Sequence, residues 1–295
     1  MPERPPVARF DPLTDLKQPT QFQLLWHQVS IDTSLASPEV DHALTYLTND
    51  ASHDFAPVGT MSYTVRLREP SERNSLPGNY SILEEGDLLA NVANADDVLD
   101  VVYRRVYQRS FELASLRGWV RLHAATVELP TGRALISAPS GIGKTTLSCA
   151  LRLAGLDVPA DESVLVRGGE SIPVPRRFHI KIPAPAALPE LRDIVERAPR
   201  LTSQAVAAVD PRELGGAWTV TKRPVEALFL LERSSETRVD VLSAVETIPA
   251  LIEGCFRNQE GTADVFRAAT SVARATTCHR LFVDDPRHVA AMLRG

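Results

Sequence analysis

The stretch "ALISAPSGIGKTTLSCALRLAGLDVPADE" (Ala134–Glu162) decides how this chain is read. "ALISA" has the apolar, β-branched look of a short buried strand, and "TTLSCALRLAG" reads as a helix closed by Gly155. Between them lies "SGIGKTT" (Ser140–Thr146), in the strand–turn–helix setting that a phosphate-binding loop requires. Gly141 and Gly143 allow a tight turn that aims backbone N–H groups at phosphate oxygens, and the helix start adds the positive end of its dipole. Lys144 reaches the β- and γ-phosphates, and the Thr145 hydroxyl suits Mg²⁺. The spacing therefore predicts a nucleotide site built from Ser140, Gly141, Ile142, Gly143, Lys144, Thr145 and Thr146. Its ligand is expected to be ATP with Mg²⁺, and GTP fits the same pattern. Ala138 stands where such loops usually begin with glycine, and serves there if its φ stays negative. The bland alternative is a glycine-rich turn without a ligand.

Three further groups are candidates for chemistry. Asp161 and Glu162 fall about one helix after the loop, at the expected start of a strand. Neighbours on a regular strand face opposite ways, but at an irregular start both can line one cavity. There a carboxylate can hold Mg²⁺ or take a proton from an attacking hydroxyl; solvated acids in a turn are the plain alternative. His123 precedes the loop by one strand and reads equally as a structural histidine. "RRFHIK" offers Arg176, Arg177 and Lys181 for phosphate or acidic-acceptor contacts, against a solvated basic edge.

Working outward, the 295 residues allow one large domain or two small ones, and 44% apolar with 23% charged residues is an ordinary globular composition. A net charge of −5 argues against general nucleic-acid affinity. Cys149, Cys255 and Cys278 are too few and scattered for a disulfide framework or zinc site, and Cys149 between Leu147 and Leu151 reads as buried and inert. No apolar run suggests a secretory signal or a bilayer span, so a cytoplasmic protein without membrane partners is expected. Residues 1–20 read as a loose arm. Phe22–Asp32, Ser62–Glu69 and Asn79–Glu85 read as strands, with a short helix capped by Ser37 between the first two. Residues 94–118 form a long helix capped by Asn94 and stopped by Gly118, with Val98, Val102, Val106, Leu113 and Leu116 near one face. Beyond Trp119, "VRLHAATVEL", "SVLVRG", Val225–Ser234 and Arg280–Asp285 read as strands, and "PALIEGCFR" and "PRHVAAML" as helices. The stretch 198–216 reads as a flexible loop that closes over an acceptor as a lid. An exposed strand edge in the first hundred residues can bind a peptide by strand addition, or that region simply caps the core. The division expected is an arm (1–20), an N-terminal α/β region (21–118) and a loop-bearing domain (119–295).

"LHAATVELPTGRALISAPSGIGKTTLSCALRLAGLDVPADESVLV" resembles the HPr kinase-like proteins, whose fold is akin to ATP-dependent phosphoenolpyruvate carboxykinase. Histidine strand, turn, strand, glycine loop, helix, glycine and acidic pair follow in that family's order. "PVPRRFHIKIP" and "ATTCHRLFVDDPRHVAAML" look like further segments of a related subfamily associated with ribosomally made, modified peptides. The resemblance implies an α/β fold with a P-loop kinase core of this type and a smaller N-terminal α/β region. It implies Asp161 as general base toward a serine hydroxyl, Glu162 as a second acid near Mg²⁺, and His123 beside the phosphates. Here the second acid is glutamate where HPr kinases carry aspartate. The implied partners are a nucleotide and a peptide or protein carrying a hydroxyl, and the family suggests a homo-oligomer. Competing readings are a nucleotide-binding switch or scaffold, a small-molecule kinase, and a carboxykinase, for which no extra metal-ligand cluster stands out.

Overall fold

The computed structural model describes residues 18–69, 78–201, 205–255 and 261–295. Most of the expected N-terminal arm, and Phe256 and Arg257 of the expected "PALIEGCFR" helix, lie outside the described residues.

The first half is a five-stranded sheet in the order β1 (Thr20–Leu24), β2 (His27–Leu35), β4 (Gly59–Leu67), β5 (Tyr80–Glu84), β6 (Asp87–Val92). Helices α1 (Pro38–Leu44) and α2 (Ala95–Leu116) accompany it. The expected single strand Phe22–Asp32 is instead a hairpin, β1 antiparallel to β2, turning at Leu25 and Trp26. Its turn carries no glycine or proline and is buried: Leu25 adopts φ 52° and is fully covered, and Trp26 packs against Phe55 and Trp119. Strand β6 was not expected; Glu85 and Gly86, both at positive φ, make the tight turn that starts it. Ser37 sits at the start of α1, but its hydroxyl bonds the Tyr80 hydroxyl (2.7 Å) and caps nothing. Asn94 does cap α2, accepting from the Asp97 N–H. Leu116, expected on the apolar face of α2, is 86% exposed, because the buried face turns through Val98, Val102, Val106, Tyr107 and Phe111 instead.

The second half is built on a six-stranded sheet in the order β10 (Asp157–Ala160), β8 (Ala124–Leu129), β9 (Gly132–Ser137), β18 (Ala227–Arg233), β20 (Thr277–Val283), β19 (Arg238–Leu242). Strands β9, β18 and β20 run parallel. Alternate residues face opposite layers. Ala134, Ile136, Phe229 and Leu281 pack toward α3 (Lys144–Leu153) and α7 (Pro286–Arg294). Leu135, Leu228 and Cys278 pack toward α5 (Ala244–Glu253) and α6 (Thr262–Ala275). Helix α6 and strand β10 were not expected. The first lacks a capping side chain at Gly261, and the second is hidden by its internal proline.

A four-stranded sheet, β17 (Arg223–Pro224), β12 (Glu170–Pro173), β11 (Val164–Arg167), β7 (Val120–Leu122), and a three-stranded one, β13 (Phe178–Lys181), β15 (Val206–Val209), β14 (Arg200–Leu201), complete this half. The stretch 198–216 is therefore no open lid over its described part. Strand β15 pairs residue for residue with β13, and Ala207, Ala208 and Val209 are fully buried. Strands β3 (Ser52–His53) and β16 (Thr219–Val220) pair across the two halves. Trp119, Leu165, Ile172, Val174 and Val220 join the core of the first sheet, so the halves share one apolar cluster. Among the described residues no helix is long and apolar enough to cross a membrane.

Candidate functional site

Two chain crossings bring the candidate residues together. The chain leaves β7 for β8 at His123, passing from the four-stranded sheet into the central one. It returns from β10 to β11 through Asp161, Glu162 and Ser163. Leu122 pairs with Val164 on one side of this gap and Thr126 with Ala160 on the other, in the same register. The expected strand "VRLHAATVEL" is thus two strands in two sheets. The acidic pair sits in the gap between strands and does not open one, opposite His123 and beside the end of β9.

Residues 138–143 link β9 to α3. Gly141 and Gly143 have φ 86° and 118°, a backbone that side chains rarely tolerate. Ala138 is buried and stays out of that region, so its missing glycine costs the turn nothing. Lys144, first residue of α3, is buried and places Nζ 2.7 Å from His123 Nε2. His123 donates through Nδ1–H to the Glu162 carbonyl oxygen (3.1 Å), which leaves Nε2 as acceptor for the ammonium. Burial, and then the Lys144 charge, hold the His123 imidazole below its ordinary pKa, in keeping with that neutral role. The Thr145 hydroxyl donates to Asp161 Oδ2 (2.8 Å).

The two acids differ in state. Asp161 is 1% exposed, and burial pushes its carboxyl up, an effect that Arg176 opposes and Glu162 reinforces. For Glu162 burial also acts upward, but Arg176, Arg121, His123 and Lys144 outweigh it and hold the carboxyl low. Arg176 pairs with Glu162 and lies 3.8 Å from Asp161 Oδ1, beyond hydrogen-bond reach, so that oxygen is buried without a hydrogen-bond partner among the described residues.

A cleft of about 490 Å³ opens over the loop, lined by His123, Ser140, Lys144, Thr145, Asp161, Glu162 and Arg176 among others. Lys181 also lines it. Arg177 does not: it donates to the Thr48 carbonyl (2.9 Å) and faces Asp210. Ile142 contributes its carbonyl, which accepts from Arg233 Nε (2.9 Å), while Arg233 Nη2 reaches the Gly141 carbonyl (3.3 Å). Sequence reasoning passed over Arg233, although an arginine ending a parallel strand beside β9 lies at the carboxyl edge where α/β sheets gather ligands. Cys149 is buried beneath the loop, and burial pushes its thiol well up.

Burial lowers the Lys144 ammonium from 10.5 to about 8, against the pull of Asp161 and Glu162. A polyphosphate placed here would restore the charge. Affinity for it is therefore expected to fall as pH rises through 8, where a solvated lysine would still be fully charged. Titration calorimetry near pH 8, in buffers of different ionisation heat, should show proton uptake on binding. The stability sign is opposite. With the folded pKa below the unfolded one, the unfolded chain holds the extra proton between about 8 and 10.5, so this group's contribution to stability rises with pH there.

No family model matches the chain, and no curated protein matches it. Among the solved structures similar to it is the Hpr(Ser) kinase/phosphatase from Coxiella burnetii. That structure is 14% identical, aligns over 58% of this chain and 92% of its own, and has a TM-score of 0.31, a likeness too distant to carry residue roles.

Proposed function

We propose that the chain is an ATP-dependent phosphotransferase that moves the γ-phosphoryl group to a hydroxyl, foremost a serine of a peptide or protein. One observation carries the reading. Two adjacent carboxyls stand beside a glycine loop and a buried lysine, and their surroundings push one up and the other down. Such splitting separates a proton acceptor from a permanent anion. Asp161 is the base and Glu162 the fixed charge.

Hard oxygen donors suit Mg²⁺, which takes one or two carboxylates along with substrate phosphates. Thr145, Glu162 and the unpartnered Oδ1 of Asp161 are of that kind. Thr145 and Glu162 would hold the ion, whose chemistry is to neutralise charge on the phosphates. The loop amides from Ser140 to Gly143 cradle the triphosphate, and Thr146 lies beside them. Lys144, held by His123, meets the developing negative charge, and Lys181 and Arg233 flank the cleft mouth. In the reaction the acceptor oxygen bonds to Pγ, the bridging Pγ–O bond breaks, ADP leaves, and the acceptor proton passes to Asp161. Positioning and electrostatics supply most of the acceleration. Residues 119–295 form the catalytic unit in this reading, with 21–118 as the smaller region beside it.

A second reading, nucleotide binding without transfer, is favoured by the Arg176 guanidinium sitting against both acids. Incubation with ATP labelled at the γ-phosphate and a serine-containing peptide pool separates the two. Label in peptide phosphoserine is expected; label found only in retained ATP and free phosphate selects the binder.

A further inference from the structure

Strand β13 ends its three-stranded sheet: one side is paired with β15, and among the described residues no strand lies along the other. The Ile182 N–H donates to the Ala205 carbonyl (3.0 Å), which fixes the phase of the ladder. Bonded and non-bonded positions alternate along an antiparallel pair, so Phe178 and Ile180 also turn their backbone groups to β15. His179 and Lys181 turn theirs outward. The far side of β15 agrees, since the Ala208 N–H, opposite His179, points away from β13 to the Pro199 carbonyl (2.8 Å). Among the described residues nothing bonds the outward backbone groups of His179 and Lys181. His179, Ile180 and Lys181 all line the loop cleft, together with Thr145, Asp161 and Glu162. Neighbours on a strand face opposite ways, so three in a row line one cavity where that cavity runs along the strand's edge.

The two ends of this edge differ. Burial, and then the Arg176 charge, push the His179 imidazole down to about 2, so His179 lies in the field of the cation that pairs with Glu162. The Tyr46 hydroxyl meets its Nε2 at 2.7 Å. Its ring also packs near Tyr103, the first of a row that runs through Tyr107 and Phe111 along α2. Lys181, two places on, is exposed, and among the described residues no carboxylate pairs with it. A lysine on a sheet edge discourages indiscriminate pairing and favours a strand that brings a carboxylate. We propose that the β13 edge receives the phosphate acceptor as an added antiparallel strand, with its serine opposite His179 and an acidic residue opposite Lys181. Antiparallel pairing is the more stable per residue. It sets the acidic residue two places before the serine and turns both side chains to one face. Main-chain bonds to His179 and Lys181 supply affinity, and the charge pair with Lys181 supplies selectivity. The serine thus enters at the end of the edge nearer the acids, in the same cleft as the loop. The inference rests on the transferase reading and gives its acceptor a shape and a sequence.

The test uses the full chain and the peptide acetyl-Ala-Glu-Ala-Ser-Ala-amide, with binding read by calorimetry and transfer by ATP labelled at the γ-phosphate. Methylating the backbone nitrogen of the glutamate, which faces the edge, should weaken binding about tenfold or more, because a bond is lost and its acceptor left unmatched. Methylating that of the next alanine, which faces away, should cost less than about twofold. Exchanging the peptide's glutamate for lysine should lower kcat/KM about fivefold, the upper worth of a cross-strand charge pair. In Lys181→Glu, a change at an exposed position, that preference should reverse. Both peptides are compared on one protein, so any effect of the variant on nucleotide binding cancels in the ratio. No binding of the parent peptide, equal losses from the two methylations, or a glutamate-to-lysine ratio unchanged by Lys181→Glu each overturn the proposal. Alternating methylation losses with no label in the peptide would remove the transferase reading and leave the strand site. Label in the serine without that alternation would remove the strand site and leave the transferase reading.

Discussion

Asp161→Asn is expected to slow phosphoryl transfer by ~10²–10⁴-fold, the usual worth of a positioned general base, while nucleotide affinity barely changes. Asparagine matches aspartate in shape, and its side-chain oxygen can still accept the Thr145 hydroxyl that now reaches Oδ2 at 2.8 Å. It cannot accept a proton. Glu162 keeps its pairing with Arg176, so the second carboxylate and the surrounding charge survive. Because burial raises the Asp161 pKa, the folded state disfavours its ionised form, and stability falls as pH rises through that group's titration. The neutral variant escapes this cost and should melt no lower than the parent at neutral pH. Single-turnover transfer and nucleotide titration on the same preparation check the claim. Transfer within about twofold of the parent would be far below what a lost base removes, and would assign the base elsewhere.

The loop, the helix after it and the acids were legible because their chemistry depends on local spacing. A glycine forced to positive φ, a lysine at the first helical position and a hydroxyl beside it must follow one another in the chain. The surroundings of the acids were less legible because they depend on register between distant strands. Nothing around His123 signals that one strand ends and another sheet begins there, since Leu122 and Ala124 are equally buried on either side. The hairpin at Leu25 and Trp26 was hidden for a related reason. Its turn packs inside the core, and buried Leu25 and Trp26 stand where glycine or asparagine would have announced a turn. Strand β15 was obscured by its alanines, whose small side chains carry little strand signal but fit where β13 and β14 close in on both sides. The aromatic spacing of Tyr103, Tyr107 and Phe111 was visible in the sequence. What it faces was not, since β7 and the acids reach it only through the tertiary fold.

Arg176 shows how the site holds two neighbouring acids together. Two adjacent carboxyls in a buried gap repel each other, and a guanidinium that spans both offsets the repulsion. The same residue helps keep Glu162 ionised while Asp161, reached only at 3.8 Å, stays poised upward. The difference between the acids thus follows from the burial of Asp161 and from the several cations around Glu162, Arg176 foremost. Arg177, next in the chain, is spent on the Thr48 carbonyl and Asp210 and tethers the first half to the second.

Lys144→Met carries the second large effect: turnover lower by ~10²–10³-fold, the usual loss when one preorganised charge is withdrawn from a reacting oxyanion, together with weaker triphosphate binding. Methionine fills the buried stem of lysine without the ammonium, so the helix start and the loop glycines keep their places. His123 Nε2 loses its donor, and Asp161 and Glu162 lose the ammonium that acts on them from the loop side. The diagnostic feature is the pH response. In the parent, affinity is expected to decline through pH 8 because burial brings the ammonium close to losing its proton. In Lys144→Met that decline should vanish along with most of the affinity. Lys144→Arg gives the converse control: guanidinium stays charged at every accessible pH, so the slope disappears while attraction to phosphate remains. Nucleotide titrations of the three proteins from pH 7 to about pH 9 separate a missing charge from a disturbed loop, over a range where an ordinary lysine stays charged. A methionine variant with parental affinity and an intact pH slope would place the phosphate-binding cation at another residue, with Arg233 the first to examine.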